Sequence, residues 1–243
     1  MVNLADLRWP ELNNHFKHDP LAVIPIGSTE QHGPHAPLGT DHYIAEELAK
    51  EAAKNTGAIC CPTIAVGVSS HHRHFSGTLY VPERIFEDYV LHICLSLNFH
   101  GVNKILFVNG HGGNSAALAS VAVKLKEQHK ILTINWEWWR DSSILSTVFP
   151  GGSVAHADGI ETSMINSFKP DLVKPELLPS QEKVPREWGR KLKGTSIPSD
   201  TTDFSSETGV AGDVTNFSAE NGVKLRKACV EHLEDLIIAL RNF

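Results

Sequence analysis

The stretch Leu21–Asn55, LAVIPIGSTEQHGPHAPLGTDHYIAEELAKEAAKN, joins an apolar segment to a polar loop and then to a helical pattern. Its first eight residues are typical of a short buried strand. Its last fifteen place Ile44, Leu48 and Ala52 on one helix face, with Asp41 near the N-terminus. A strand, a loop and a helix in this order form the basic unit of an α/β fold.

The same alternation continues along the chain. Further strands are predicted at Gly57–Gly67, Lys104–Gly110 and Lys130–Trp138, and helices at Pro82–Gly101, Asn114–His129, Gly159–Phe168 and Ser218–Asn242. The strands are too uniformly apolar to leave one face in water. We therefore expect an α/β fold, a three-layer α/β/α arrangement with a mostly parallel central sheet, in a single domain over residues 1–243. Between Lys169 and Asn216 the sequence is rich in Pro, Ser, Thr and Gly, and long ordered loops or an insertion are expected.

Charge, apolar runs and cysteine content argue against several classes of function. The formal net charge of −6 argues against a nucleic-acid partner, which would require a basic patch. No apolar run is long enough to cross a membrane, and the N-terminus MVNLADLRWPEL has no signal-length apolar core. The four cysteines lie in apolar patterns without a CxxC motif, as expected for reduced, buried thiols. The sequence predicts a cytoplasmic protein.

Polar residues follow four of the predicted strands. They stand in GSTEQHGPH, VSSHHRHFSGT, NGHGGN and WEWWRD. Because ligands of such folds bind beyond the carboxyl ends of the strands, these four loops are expected to meet at one mouth.

Metal-ligating side chains are concentrated in these loops. Glu30 and His32 are two residues apart, so in extended chain they point to the same side. Asp41 follows after a loop that can turn back, His111 is flanked by glycines, and Glu161 opens a later helix. Two Glu, one Asp and two His exceed what one ion needs, and suit two divalent ions that share a bridging carboxylate.

Three of these residues, taken singly, also have a purely structural interpretation. Asp41 alone would be a helix cap, His111 a hydrogen-bonded loop histidine and Glu161 an exposed helix residue. Four further histidines are interpreted as structural: His35, His42, His71 and His72. The metal interpretation depends on the set as a whole.

The motifs GSTEQHGPHAPLGTD, VNGHGGN and HADGIETS, in this order, resemble those of the creatininase (creatinine amidohydrolase) family. The resemblance extends over roughly residues 5–240. It implies a three-layer α/β/α fold, a homohexamer and a binuclear centre, with zinc as the expected metal and manganese or iron as alternatives.

Carried over motif by motif, the resemblance implies a ligand set. Glu30, Asp41 and His111 would bind one ion. His32, Asp41 and Glu161 would bind the other, with Asp41 bridging and a hydroxide between the ions.

The resemblance and the strand-end positions also suggest residues that contact substrate. His156 matches a family histidine that passes a proton to the leaving nitrogen, and Trp136 matches a tryptophan of the family pocket. From their places at strand ends, His74 and Phe75 are predicted in the pocket wall, and Asn114 is predicted to bind substrate.

Two positions depart from the members that hydrolyse creatinine. Gly113 replaces a Glu and Gly152 replaces a Trp, which argues for a divergent member with another substrate. The predicted activity is metal-dependent hydrolysis of a non-peptide C–N bond, in an amide or formamide of a small molecule. A peptidase and a cyclic-ketone (C–C) hydrolase of the same family are the alternatives.

Two alternatives from other classes remain. A non-catalytic metal-binding or assembly protein would keep the ligands for reasons of folding. A binuclear phosphoesterase would need basic residues, and the predicted site loops supply only Arg73 and Arg140.

Overall fold

Four parallel strands form the central sheet of the molecule, in the order β2-β1-β3-β4. The structure, a computed structural model, describes residues 3–243; Met1 and Val2, at the start of the predicted domain, lie outside the described residues. The strands are β1 (Leu21–Ile26), β2 (Ile59–Cys60), β3 (Lys104–Asn109) and β4 (Leu132–Glu137). Their carboxyl ends therefore meet at one edge of the sheet.

Helices cover both faces of this sheet. They are α1 (Trp9–His18), α2 (Thr40–Thr56), α3 (Glu83–Phe99), α4 (Ser115–His129), α5 (Ser142–Val148), α6 (Gly159–Phe168) and α7 (Ala219–Asn242). In β1, Leu21 and Val23 pack with α2, α5, α6 and α7, whereas Ala22 and Ile24 pack with α1, α3 and α4. All four side chains are fully buried. The predicted three-layer α/β/α fold is confirmed.

The second strand is shorter than the predicted Gly57–Gly67. Regular pairing ends after Cys60; the Cys61 N–H still donates to the Val23 carbonyl, and the next donor to β1 is Ile64, so the intervening chain carries an extra residue and is irregular. The chain nevertheless stays beside β1, and the Ile64 N–H donates to the Pro25 carbonyl at 3.0 Å. The other predicted strands and helices lie within a few residues of their predicted bounds. Helices α1 and α5 were not predicted; in α1, Pro10 lies in the first turn, and Glu11 accepts a hydrogen bond from the N-cap backbone.

Residues 169–217 form the long ordered connection that their composition predicted. Five short 3-10 helices and one exposed antiparallel hairpin, β5 (Arg190–Leu192) and β6 (Thr195–Ile197), make up its regular structure. The four cysteines are buried and unpaired, as expected. In the described part of the chain, no helix combines the length and apolarity that a membrane span requires.

Candidate metal centre

The metal-ligand candidates come from four separate elements at the carboxyl edge of the sheet. Glu30 and His32 follow β1, and the loop then turns back so that Asp41 enters the first turn of α2. The Glu30 N–H donates to the Leu38 carbonyl at 2.8 Å, which fixes this turn. His111 follows β3 and Glu161 lies in the first turn of α6, which completes the cluster.

Asp41 lies between the two histidines. Its Oδ1 is 3.0 Å from His32 Nε2 and its Oδ2 is 3.0 Å from His111 Nδ1. Glu30 Oε2 is 3.2 Å from His111 Nδ1, and Glu161 Oε2 is 3.6 Å from His32 Nε2. Two groups of three donors, each able to hold one ion, therefore share the Asp41 carboxylate.

Hydrogen bonds on the far side of each imidazole fix the tautomer. His111 Nε2 lies 3.0 Å from the Val68 carbonyl, so this nitrogen carries the proton and donates it. His32 Nδ1 lies 3.2 Å from the Glu30 carbonyl and donates in the same way. When the two rings are neutral, as metal ligands must be, the lone pairs of His111 Nδ1 and His32 Nε2 therefore face the carboxylates, as in ligands oriented by their outer hydrogen bonds.

Three buried carboxylates lie together in the centre, those of Glu30, Asp41 and Glu161. Both oxygens of Glu30 and Oδ2 of Asp41 have no hydrogen-bond partner among residues 3–243. Burial favours a high pKa for Glu30, but His111 and His72 beside it hold this pKa well below its usual range. Burial likewise favours a low pKa for His32 and His111, but the adjacent carboxylates raise both pKa values well above the usual range. The carboxylates thus attract positive charge, and divalent cations would supply it in place of the protons on the two rings.

His156 lies beside the ligands. Its ring centroid is 4.6 Å from that of His32, and its Nδ1 is 3.9 Å from Glu30 Oε1. The chain then turns sharply: Ala157 takes a positive φ of 52°, and the Asp158 carboxylate accepts hydrogen bonds from the first turn of α6. This strained turn presents the His156 ring to the cavity.

His72, which the sequence suggested was structural, belongs to the centre. Its Nε2 is 3.1 Å from Glu30 Oε1, and the residue is 1% exposed. Its Nδ1 lies 2.8 Å from the hydroxyl of Thr201, in the 169–217 connection. The position of His72 in the loop after β2 was the available signal, but the irregular end of that strand concealed which side chain turns inward.

The four predicted substrate-binding residues lie outside the wall of the cavity above the centre. Asn114 is buried and binds the chain itself, accepting from the Val68 N–H and donating to the Gly27 carbonyl. Trp136 packs into the core and stacks on a histidine of α7. His74 lies near Asp200 at 3.3 Å, and the half-buried Phe75 follows it. The geometry gives no support to direct substrate binding by these four residues.

The glycines that depart from the creatinine-hydrolysing pattern are tightly enclosed. A Cβ on Gly113 would lie 2.1 Å from the Val68 carbonyl oxygen. A Cβ on Gly152 would lie 2.8 Å from a methyl group of Ile160. This backbone therefore has no room for a Glu or a Trp at these positions without a shift of its neighbours.

The cavity above the centre has a volume of about 1030 Å³. Its floor contains Glu30, Asp41, His111 and Glu161, and one wall comes from the 169–217 connection. That wall brings three basic residues that lie outside the four predicted site loops: Arg186, Arg190 and Lys191. The expectation that only Arg73 and Arg140 supply positive charge is corrected. Arg73 lies outside the cavity wall and pairs with an aspartate.

Comparison with known proteins gives the family of this chain. The family model "Creatininase: Creatinine amidohydrolase" matches residues 5–237. The mycofactocin precursor peptide peptidase of Mycolicibacterium smegmatis is 34% identical over 158 residues, which cover 63% of this chain and 59% of that protein. The creatinine amidohydrolase of Pseudomonas putida is 26% identical over 191 residues, covering 71% of this chain and 74% of the enzyme.

The fold agrees over nearly the whole length. A crystal structure of creatinine amidohydrolase superposes with a TM-score of 0.83 and 24% identity, over 97% of this chain and 96% of that one. Among solved creatininases of the same fold, one is a Zn–Zn form and another is a manganese form. With its motifs in the expected order and a family match over almost all of its residues, the chain belongs to the creatininase family.

Proposed function

We propose that this protein is a hydrolase of C–N bonds that uses two divalent metal ions. The single observation that carries the proposal is the position of Asp41. Its two carboxylate oxygens each lie 3.0 Å from an imidazole nitrogen that faces the centre. A buried carboxylate shared in this way, with two further glutamates beside it, matches the donor set of a binuclear hydrolytic centre.

The residues present fit two ions. Glu30, Asp41 and His111 are proposed to hold one ion, and His32, Asp41 and Glu161 the other. When bound, the two ions lower the pKa of a shared water and polarise a substrate carbonyl. Mixed imidazole and carboxylate donors suit zinc best, and manganese is the second choice, in line with the forms of the solved creatininases.

His156 is proposed to move the proton. Its Nε2 lies 3.0 Å from the Gln31 carbonyl and 2.8 Å from the Gln31 side-chain amide, and its Nδ1 faces the centre, 3.9 Å from Glu30 Oε1. Burial, with His72 and His32 nearby, holds the pKa of His156 well below its usual range, so the ring is neutral at pH 7. A neutral imidazole at this place can take a proton from the attacking water and deliver it to the leaving nitrogen.

A small amide or formamide is the proposed substrate, and a peptide is the second candidate. The enclosed Gly113 and Gly152 leave no room for the side chains associated with creatinine, so creatinine itself is disfavoured. The relative from M. smegmatis is a peptide peptidase, which favours a peptide C–N bond and removes the reason to exclude one. A relative from Thermotoga maritima, 28% identical, is a 3-dehydro-scyllo-inosose hydrolase, which keeps cyclic ketones as a third class.

Three further features are proposed with the activity. The buried, unpaired cysteines suit a cytoplasmic location. Exposed apolar side chains on α3, including Ile85, Tyr89 and Phe99, suit a homo-oligomer, for which a hexamer is the expectation. One domain over residues 1–243 stays a prediction.

Metal analysis tests the proposal. Protein purified without chelator is assayed for metal by elemental analysis, as wild type, Asp41→Ala and the exposed control Asp88→Ala. We expect about two ions per chain in wild type and in the control, and almost none in Asp41→Ala, because both donor groups lose the shared carboxylate. One ion or none in wild type, or no change in Asp41→Ala, would overturn the binuclear centre.

The reaction is tested separately. Metal-loaded protein is incubated with panels of N-formyl amines, small amides and short peptides, and the released amine is measured. Release that requires both the metal and His156 supports the proposed hydrolase. Full metal content without turnover of any panel would favour the non-catalytic metal-binding alternative.

A further inference from the structure

The cavity wall facing the metal centre contains two positively charged side chains without partners. Arg186 and Arg190 both line the cavity. Neither has a carboxylate within 4.0 Å among the described residues 3–243. The two other basic residues of the wall are paired, Lys191 with Glu187 and Arg140 with Glu137. We call Arg186 and Arg190 the arginine pair.

Between the two arginines lies an aromatic residue that covers one side of the centre. The Trp188 ring centroid is 5.3 Å from that of His72, 5.4 Å from that of His156 and 5.5 Å from that of His71. The indole also packs edge-on against Phe204 at 4.9 Å, which steadies it. The arginine pair and this indole therefore stand on one short segment, over the residues that would carry out the chemistry.

Two guanidinium groups on one wall repel each other and remain charged at every physiological pH. Their planar N–H groups match the oxygens of a carboxylate or a phosphate, which can accept two hydrogen bonds from each. The carboxylates of the metal centre cannot serve as that partner, since their oxygens face the imidazoles on the cavity floor.

We propose that the arginine pair binds an oxyanion group of the substrate, a carboxylate or a phosphate monoester, at a distance from the C–N bond that is cleaved. Trp188 packs on the body of the substrate between these two points. The inference rests on the proposed function for the identity of the bond, but the oxyanion site itself depends only on the wall. It reverses the expectation that this cavity is poorly supplied with positive charge.

Binding of matched probes tests the site without knowledge of the natural substrate. N-benzoylglycine carries an amide and a carboxylate, and N-benzoylglycinamide is its neutral partner. N-benzoyl-2-aminoethyl phosphate and N-benzoylethanolamine form the corresponding phosphate pair. Affinities are measured by calorimetry and by tryptophan fluorescence, with metal-loaded and chelator-treated protein, so that anion binding by the ions is separated from binding by the wall.

The variants are Arg186→Ala/Arg190→Ala and, as a control, Lys193→Asn. Lys193 is exposed on the turn of the same hairpin, outside the cavity wall, and its φ of 48° is one that Asn accepts. In wild type we expect one anionic probe to bind at least about tenfold more tightly than its neutral partner, with or without metal. The preference should fall to about unity in the double variant and persist in the control.

Any result other than this loss of preference in the double variant would contradict the oxyanion site. A preference that survives in the double variant, or that disappears when metal is removed, would assign anion binding to the ions. An unchanged preference together with dissociation of an oligomer, seen by light scattering, would make the arginine pair a subunit contact. The larger ratio of the two probe pairs identifies carboxylate or phosphate. Because these measurements need no turnover, they stay informative if the proposed hydrolysis fails, and a failed oxyanion site leaves the metal analysis untouched.

Discussion

Two regions of the molecule meet at the cavity and are built in opposite ways. The floor consists of side chains that are at most 6% exposed, each fixed by a strand end or a helix start. The wall includes the hairpin of β5 and β6, whose six strand residues are all exposed. The floor is therefore tightly constrained by packing, whereas the wall can change its sequence at little cost to the fold. On the functions proposed above, the floor would supply the chemistry and the wall the choice of substrate.

The largest loss of stability is expected from a substitution at the floor of the cavity. Gly113→Ala would place a Cβ 2.1 Å from the Val68 carbonyl oxygen, which also accepts the hydrogen bond of His111. We expect a loss of about 3 kcal/mol in the free energy of unfolding and a lower metal content, because the carbonyl that orients His111 must move. Chemical denaturation and elemental analysis measure the two effects.

The neighbouring glycine is the matched control. A Cβ on Gly112 meets no atom within 4 Å, so Gly112→Ala should leave stability and metal content close to wild type. Equal behaviour of the two variants would show that the floor is more tolerant than its geometry implies.

An intermediate loss of stability, seen at low pH, is expected from His35, a buried residue beside the cavity floor. Burial, with His32 nearby, lowers the pKa of His35 to about 4, and its Nε2 hydrogen-bonds the Thr162 hydroxyl at 2.9 Å. The unfolded chain, with a histidine pKa of about 6.5, binds more protons between these two values. The contribution of His35 to the free energy of unfolding is therefore complete above pH 6.5 and is lost as the pH drops towards 4.

From pH 7 to pH 5 this one residue should contribute a loss of about 2 kcal/mol. His35→Gln keeps a donor for Thr162 without the titrating ring, so its stability should fall less steeply, by about that amount. His129→Gln, on the exposed end of α4, is the control and should follow wild type. Parallel pH profiles for His35→Gln and wild type would remove His35 as the cause.

The smallest effect on stability is expected in the wall. Arg190 and Ile197 lie opposite each other at the base of the hairpin. The eight residues from 190 to 197 can therefore be deleted and their two ends joined by two glycines. Because the removed residues are exposed, the free energy of unfolding should change by less than about 1 kcal/mol, and metal content should stay the same. A large loss of stability or metal would show that the hairpin supports the floor, and the contrast between the two regions would be wrong.

Sequence reasoning was strongest where local pattern and tertiary position coincide. Apolar strands followed by polar loops predicted the sheet and its carboxyl edge, and the motifs predicted the residues that the structure gathers around Asp41. Prediction was weakest for side chains whose position is decided by segments without regular secondary structure. His72 turns inward after a strand whose regular pairing ends at Cys60, and Trp188 reaches the cavity from a segment far away in sequence.

The substrate-contact predictions had a different weakness. Asn114 lies in the loop after β3 and Trp136 lies in β4, as expected. Their side chains, however, point into the protein and away from the cavity. A strand-end position identifies the neighbourhood of a residue, and the direction of its side chain is decided by which hydrogen-bond partners and apolar neighbours lie around it.

The segment that carries the arginine pair is held at both ends. Before it, the Pro185 carbonyl accepts from the Gly212 N–H at 2.8 Å; after it, the Thr201 hydroxyl donates to the His71 carbonyl at 2.9 Å. Between these two points the main inward contact is Trp188, whose indole packs on His72 and His156. The rest of the segment can be exchanged without touching the floor, so insertion or replacement there offers a route to new substrates. A library over residues 186–199 that keeps Trp188 would sample specificity while the proposed metal ligands stay unchanged.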